Sequence, residues 1–142
     1  MKSKLISRPS SHAITAGAIA FGVLYWFSSF GLSAFINWWF YPSPPHDIRE
    51  TIISSWQWSV FSFAIYLIPG FVAGLLARRS GLMHGAIIGF LTVPIMAAFI
   101  YAAGFWHFVA FASFFYGLML ALFWCTLAGL LGEVIASKVW PQ

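Results

Sequence analysis

The most constraining feature of this chain is a pair of adjacent arginines between two apolar runs, in residues 71–90 (FVAGLLARRSGLMHGAIIGF). Placing an arginine in hydrocarbon is energetically expensive, so Arg78 and Arg79 should lie at a membrane surface. The apolar runs on either side must then enter and leave the membrane through that same surface. The stretch predicts a helix hairpin with a short charged turn.

The composition supports a membrane protein rather than a soluble one. Hydrophobic residues make up 61% of the 142 residues and charged residues only 7%, whereas soluble domains are about 25% charged. The net charge of +4 comes from scattered residues and not from a basic stripe. We therefore expect the lipid bilayer as partner and no nucleic acid.

Four apolar runs are each long enough to span a bilayer, which requires about 20 helical residues. The predicted fold class is all-α, an integral membrane four-helix bundle that forms one transmembrane domain over residues 1–142. The first run is too long for the apolar core of a signal peptide, so we interpret it as a retained span. The predicted spans are residues 13–36, 52–77, 82–102 and 106–135.

The basic residues predict the orientation of the bundle. With four spans, both termini and the arginine turn lie on one side of the membrane. That side carries six lysines and arginines and the other carries one, so the positive-inside rule predicts cytoplasmic termini, in a bacterial inner membrane. The six are Lys2, Lys4, Arg8, Arg78, Arg79 and Lys138, and the one is Arg49.

Two similarities within the sequence suggest an internal repeat. The first and third spans each begin with a histidine that a glycine follows five residues later, at His12 and His84. The second and fourth spans both contain Ala-Gly-Leu-Leu, at residues 73–76 and 128–131. One interpretation is two parallel helix-hairpin repeats; the other is chance, because these residues are common in membrane helices.

Small residues at helical spacing predict where the helices pack. Membrane helices associate where small side chains let two backbones approach closely. One interpretation is packing within the bundle, and the other is that the long stripe on the third span also forms a homo-oligomer interface, a glycine zipper. The candidate packing residues are Gly70, Gly74, Gly81, Gly85, Gly89, Gly129 and Gly132.

Polar residues follow two rows in the predicted outer halves of the first two spans. Ser29, Ser33 and Asn37 fall at i, i+4 and i+8, and Ser59 belongs to a similar row with Ser55 and Ser62. The rows could line a cavity of a small transporter. Alternatively, they could form hydrogen bonds that hold the helices together.

Three ionisable residues near the predicted cytoplasmic surface are the remaining candidates for chemistry. Glu133 is either an interfacial carboxylate facing the arginine turn or an ion or proton site. His84 and His12 could join it in a site that handles protons or binds a metal. Their position near the edge of the bundle does not favour haem, and we expect no cofactor and no bound metal.

No nucleotide-binding loop or catalytic triad is present in the sequence, and the single cysteine, Cys125, excludes an intramolecular disulfide. We therefore expect a protein that is not an enzyme. The leading hypothesis is an accessory or oligomeric packing component that associates with itself or with another membrane protein. The alternative is a small-solute or proton-coupled transporter or channel.

Overall fold

The computed structural model describes residues 9–40, 47–54, 56–104 and 111–140. The described part of the chain is helical and contains no strand. Four of its helices are long and apolar enough to cross a membrane. The helices are α1 (Ser11–Trp26), a π-helical turn (Phe27–Gly31), α2 (Leu32–Trp39), α3 (Ile48–Ile53), α4 (Trp56–Ala77), α5 (Gly81–Ala102) and α6 (Phe111–Val139).

The observed helix ends differ from the predicted ones by a few residues. The first span, formed by α1, the π turn and α2, covers Ser11–Trp39 rather than 13–36. Residues 52 and 53 belong to the separate short helix α3, so the second span begins with α4. The fourth span continues past residue 135 to Val139, because neither glycine nor proline occurs between residue 135 and Pro141. The predicted start of that helix, residue 106, lies outside the described residues.

The π-helical turn in the first span was not anticipated. The backbone N–H of Leu32 donates to the carbonyl of Phe27, five residues earlier. Such a turn holds more residues than an α-helical one and is commonly found as an isolated bulge. The rotational register of the first span therefore changes between α1 and α2.

The fourth span is formed by α6, which packs along both α4 and α5. Its backbone is in direct contact with the backbones of both helices. A Cβ atom built on Gly70 would stand 2.7 Å from the Cα of Cys125, and one on Gly89 would stand 2.8 Å from the Cα of Leu122. Only hydrogen fits at these positions. The glycines of both α4 and α5 thus form one groove, which we call the glycine groove, and α6 occupies it.

The same groove explains the remaining candidate packing residues. Cβ atoms built on Gly74 or Gly81 would overlap the carbonyl of Gly129, and one on Gly85 would overlap the carbonyl of Cys125. On α6, a Cβ on Gly132 would overlap the carbonyl of Phe71. The glycine stripe on α5 is therefore covered by α6 of the same chain.

The first span packs on the opposite side of α4 and α5 and makes one close approach. A Cβ on Gly17 would stand 2.9 Å from the carbonyl oxygen of Pro69 and 2.8 Å from the Cδ1 of Ile88. Ile88 also contributes to the buried apolar cluster, with Ala73 of α4 and Cys125 of α6. This cluster is thus made of small and aliphatic side chains, and the aromatic ring of Phe21 in the first span is also fully buried.

We expect Gly85→Ala to destabilise the bundle, because the methyl group would meet the backbone of α6, which cannot move away by changing rotamer. Overpacking costs about 1–3 kcal/mol, and the higher helix propensity of alanine returns at most about 1 kcal/mol. Unfolding of the purified protein by sodium dodecyl sulfate, followed by circular dichroism, measures the difference. The matched control is Gly22→Ala, because a Cβ on Gly22 meets no atom within 4 Å. Equal stability of the two variants would contradict the glycine groove.

Candidate functional site

The turn between α4 and α5 consists of residues 78–80, which we call the elbow. Arg78 and Ser80 have left-handed backbones, with φ of 55° and 59°. That conformation costs a non-glycine residue roughly 1–2 kcal/mol, and it reverses the chain in three residues. The side chains of Arg78 and Arg79 are both exposed. The predicted charged turn is therefore present and very short.

Glu133 of α6 caps the first turn of α5. Its Oε1 accepts a hydrogen bond from the backbone N–H of Ser80 at 3.1 Å, and its Oε2 accepts one from Gly81 at 2.6 Å. Ser80 makes no capping bond through its own side chain. A carboxylate at this place satisfies N–H groups that the helix cannot use internally and interacts favourably with the positive end of the helix dipole.

His84 connects the same turn to the first span. It is 2% exposed, and its Nδ1 lies 2.9 Å from the carbonyl oxygen of Ser80. The backbone N–H of Ser10 donates to its Nε2 at 2.8 Å. A neutral imidazole has one donor and one acceptor nitrogen, so this arrangement requires the proton on Nδ1. His84 is therefore a bridge between the start of α1 and the start of α5.

These contacts place Glu133, His84 and the elbow at one end of the bundle, which we call the elbow end. Trp140, just after α6, also lies there, because the guanidinium carbon of Arg78 stands 5.3 Å from the centroid of its ring. The start of α1 lies at the same end through the Ser10–His84 bond. Three spans thus meet around the first turn of α5.

The predicted polar row of the first span does not form one continuous buried face. Ser29 and Ser33 are half-buried, whereas Asn37 is exposed. Ser29 lies inside the π turn, whereas Ser33 and Asn37 both lie in α2, so the i, i+4, i+8 spacing does not align Ser29 with the other two on one helix face. The side chain of Ser59 lies outside the described residues. Thr92 of α5 is fully buried, and its hydroxyl donates to the carbonyl of Gly89 at 2.7 Å.

The two histidines that the sequence analysis grouped have different surroundings. His12 is exposed, whereas His84 is buried. Within residues 9–40, 47–54, 56–104 and 111–140, no three His, Cys, Asp or Glu side chains are grouped so that they could hold a metal ion. The unlike surroundings of the two histidines give no support to an internal repeat, which stays a prediction.

The partners of these side chains were missed by sequence reasoning. Ser10 and Ser80 contribute backbone groups, whose positions depend on the fold and carry no sequence signal. Trp140 had a usable signal, since a tryptophan after the last basic residue of a span is typical of a membrane interface. Its contact with Arg78, which is 62 positions earlier in the chain, could not be read from that signal.

Comparisons with known proteins do not identify a relative. No protein-family model matches the chain, and neither a curated protein nor a solved structure matches it closely enough to indicate a relationship. The functional proposal below therefore depends on the geometry of the bundle and of the elbow end.

We expect Glu133→Ala to destabilise the bundle by about 1–3 kcal/mol, because two backbone N–H groups lose a charged acceptor. Hydrogen exchange measured by mass spectrometry should show faster exchange at Ser80 and Gly81. Glu133→Gln keeps a neutral acceptor and should have an intermediate effect. The matched control is Lys138→Ala, an exposed charge in the last turn of the same helix. Unchanged exchange at the start of α5 in Glu133→Ala would contradict the capping role.

We expect neutral His84 to carry its proton on Nδ1, because Nε2 must accept the hydrogen bond from Ser10. Nitrogen NMR of the imidazole in detergent micelles distinguishes the two tautomers directly. His12 is exposed and provides the internal comparison, with no fixed tautomer required by its surroundings. An Nε2-protonated His84 would contradict the bridge to the first span.

Proposed function

We propose that this protein is a non-enzymatic membrane component that acts by association, as an accessory subunit or as a packing unit of an oligomer. The single observation that carries the proposal is the use of its ionisable groups. Glu133 caps α5 and His84 joins two helices. The side chains that would be the coupling groups of a transporter are thus employed in holding the bundle together.

The interior of the bundle agrees with this proposal. Among the described residues, the buried polar side chains are His84 and Thr92, and both make hydrogen bonds inside the chain. No buried side-chain nitrogen or oxygen in that part of the chain lacks a partner. A path for a polar solute needs buried polar groups that can exchange their partners for the solute. The two buried polar side chains of the described residues instead hydrogen-bond within the chain.

The proposal places partner contacts on the outer surface of the bundle rather than on the glycine groove. The glycines of α5 are covered by α6 of the same chain, so a second copy could not reach them without unpacking the bundle. Large apolar side chains on the outside of all four spans remain for contact with lipid or with another helix; Val23, Phe90 and Phe123 are examples.

The proposal also includes a location. Arg78 and Arg79 lie at the same end as the start of α1 and the end of α6. The excess of basic residues in the sequence then assigns that end to the cytoplasm under the positive-inside rule. We propose the inner membrane of a bacterium, with both termini cytoplasmic.

Native mass spectrometry of the chain, extracted from its own membrane into lipid nanodiscs, tests the proposal. We expect a complex of fixed stoichiometry, with other copies or with a second membrane protein. Glu133→Gln and Lys138→Gln should both retain the complex wherever they retain the fold, as judged by helix content. A monomer with no partner would contradict the proposal.

A small transporter is the second candidate, and one observation favours it. The π turn in the first span contains Ser28 and Ser29, and isolated π turns are frequent at functional sites. Proton-dependent solute flux into liposomes, abolished by Glu133→Gln and retained in Lys138→Gln, would support the transporter and contradict the accessory role.

A further inference from the structure

A cleft is present at the elbow end of the bundle. It lies between the elbow and the last turns of α6 and has a volume of about 240 Å³. The residues that line it are Arg78, Arg79, Ala136, Ser137 and Trp140.

We propose that this cleft binds the phosphate group of an anionic phospholipid. The inference goes beyond the proposed function and holds for either candidate, because it requires only that the four spans cross a membrane. Two guanidinium groups line one small cleft, and guanidinium is the side chain best matched in geometry to phosphate oxygens.

The contact between Arg78 and Trp140 holds the guanidinium group of Arg78 in one position, ready to bind an anion. The guanidinium carbon of Arg78 lies over the tryptophan ring. A cation–π contact limits the freedom of a long side chain and leaves its N–H donors able to bind an anion. The left-handed backbone at Arg78 further fixes where the side chain leaves the elbow.

The charge balance around the cleft favours an anion. The whole chain contains three acidic residues, of which Asp47 and Glu50 belong to the segment between the first and second spans. The third, Glu133, directs both carboxylate oxygens at the start of α5. Lys138, beside the cleft residues in sequence, adds a further exposed positive charge.

The surroundings of the cleft favour a lipid over a soluble anion. The cleft lies where α4 ends, α5 begins and α6 ends, which is the depth of the headgroups for helices that cross a membrane. Apolar side chains are exposed at the same level: Leu76 is 52% exposed, Val139 58% and Trp140 47%. Exposed tryptophan is typical of the membrane interface, and basic pockets between helices at this depth bind anionic headgroups.

The test measures lipid binding to the purified full-length chain in neutral detergent. Native mass spectrometry with added phosphatidylglycerol should show one tightly bound lipid, and phosphatidylcholine should bind more weakly. Because each interfacial arginine contributes about 1 kcal/mol, we expect the double variant R78Q/R79Q to lose at least about tenfold in affinity for phosphatidylglycerol. Lys138→Gln, which removes a neighbouring charge outside the lining of the cleft, should change the affinity much less.

A second variant keeps the test decisive if the double variant does not fold. Ser137→Trp leaves both arginines in place and fills the cleft from an exposed position on α6. It should weaken binding of phosphatidylglycerol to a similar extent. Equal losses in Lys138→Gln and R78Q/R79Q would show general charge attraction, and unchanged binding in Ser137→Trp would show that the cleft is not the site. Either result overturns the proposal.

Inorganic phosphate separates the lipid from a soluble ligand. We expect millimolar phosphate to displace little of the bound phosphatidylglycerol, because the lipid is also held by the surrounding membrane-facing surface. Displacement of phosphatidylglycerol by phosphate at a concentration similar to that of the lipid would identify a site for a soluble anion. That result would overturn the assignment to a lipid.

Discussion

Close contact between helix backbones is the constraint on which the rest of this structure depends. Within a bilayer, leucine gains nothing by leaving lipid for protein, so helices are held by dispersion contacts and hydrogen bonds that require a close approach. The glycines of α4 and α5 provide that approach to α6, and at Gly74, Gly81 and Gly85 even a methyl group would overlap the α6 backbone. Because the contact involves the backbones of three helices, it sets their relative height as well as their separation. A shift of α6 by one residue would bring side chains to positions where only hydrogen fits.

The polar contacts at the elbow end follow from that fixed height. Glu133 lies one position beyond Gly132, so seating α6 in the glycine groove brings its carboxylate to the start of α5. There it meets the N–H groups of Ser80 and Gly81. His84 lies within the first turn of α5 and reaches Ser10. Two ionisable side chains thereby satisfy backbone groups at the starts of two helices, α1 and α5, and no unpaired buried side-chain polar atom remains among the described residues.

The sequence predicted the parts of the fold that depend on composition and local spacing. The four long apolar helices follow from hydropathy and length, and the turn at residues 78–80 follows from the cost of arginine in hydrocarbon. The π turn could not be predicted, since it requires no particular residue and changes only the hydrogen-bond register. The helix that packs on the glycines of α5 could not be predicted either. A row of glycines indicates that some helix can approach closely, but it does not indicate which helix does so. The partners of Glu133 could not be predicted, because they are backbone amides, which look alike at every position of a sequence.

The two ends of the bundle are held by different kinds of interaction. At the elbow end, hydrogen bonds from Glu133 and His84 have defined donors, acceptors and directions, so they specify one arrangement. Toward the other end, the first span meets α5 through aromatic rings, with Tyr25 and Phe30 at 5.7 Å and 6.4 Å from Phe99. Aromatic contacts of this kind are favourable over a range of distances and tilts, and they tolerate the change of register that the π turn introduces. Directed bonds are therefore concentrated where the chain reverses and where charged groups can reach the membrane surface. Adaptable contacts are used where the first span changes its helical register.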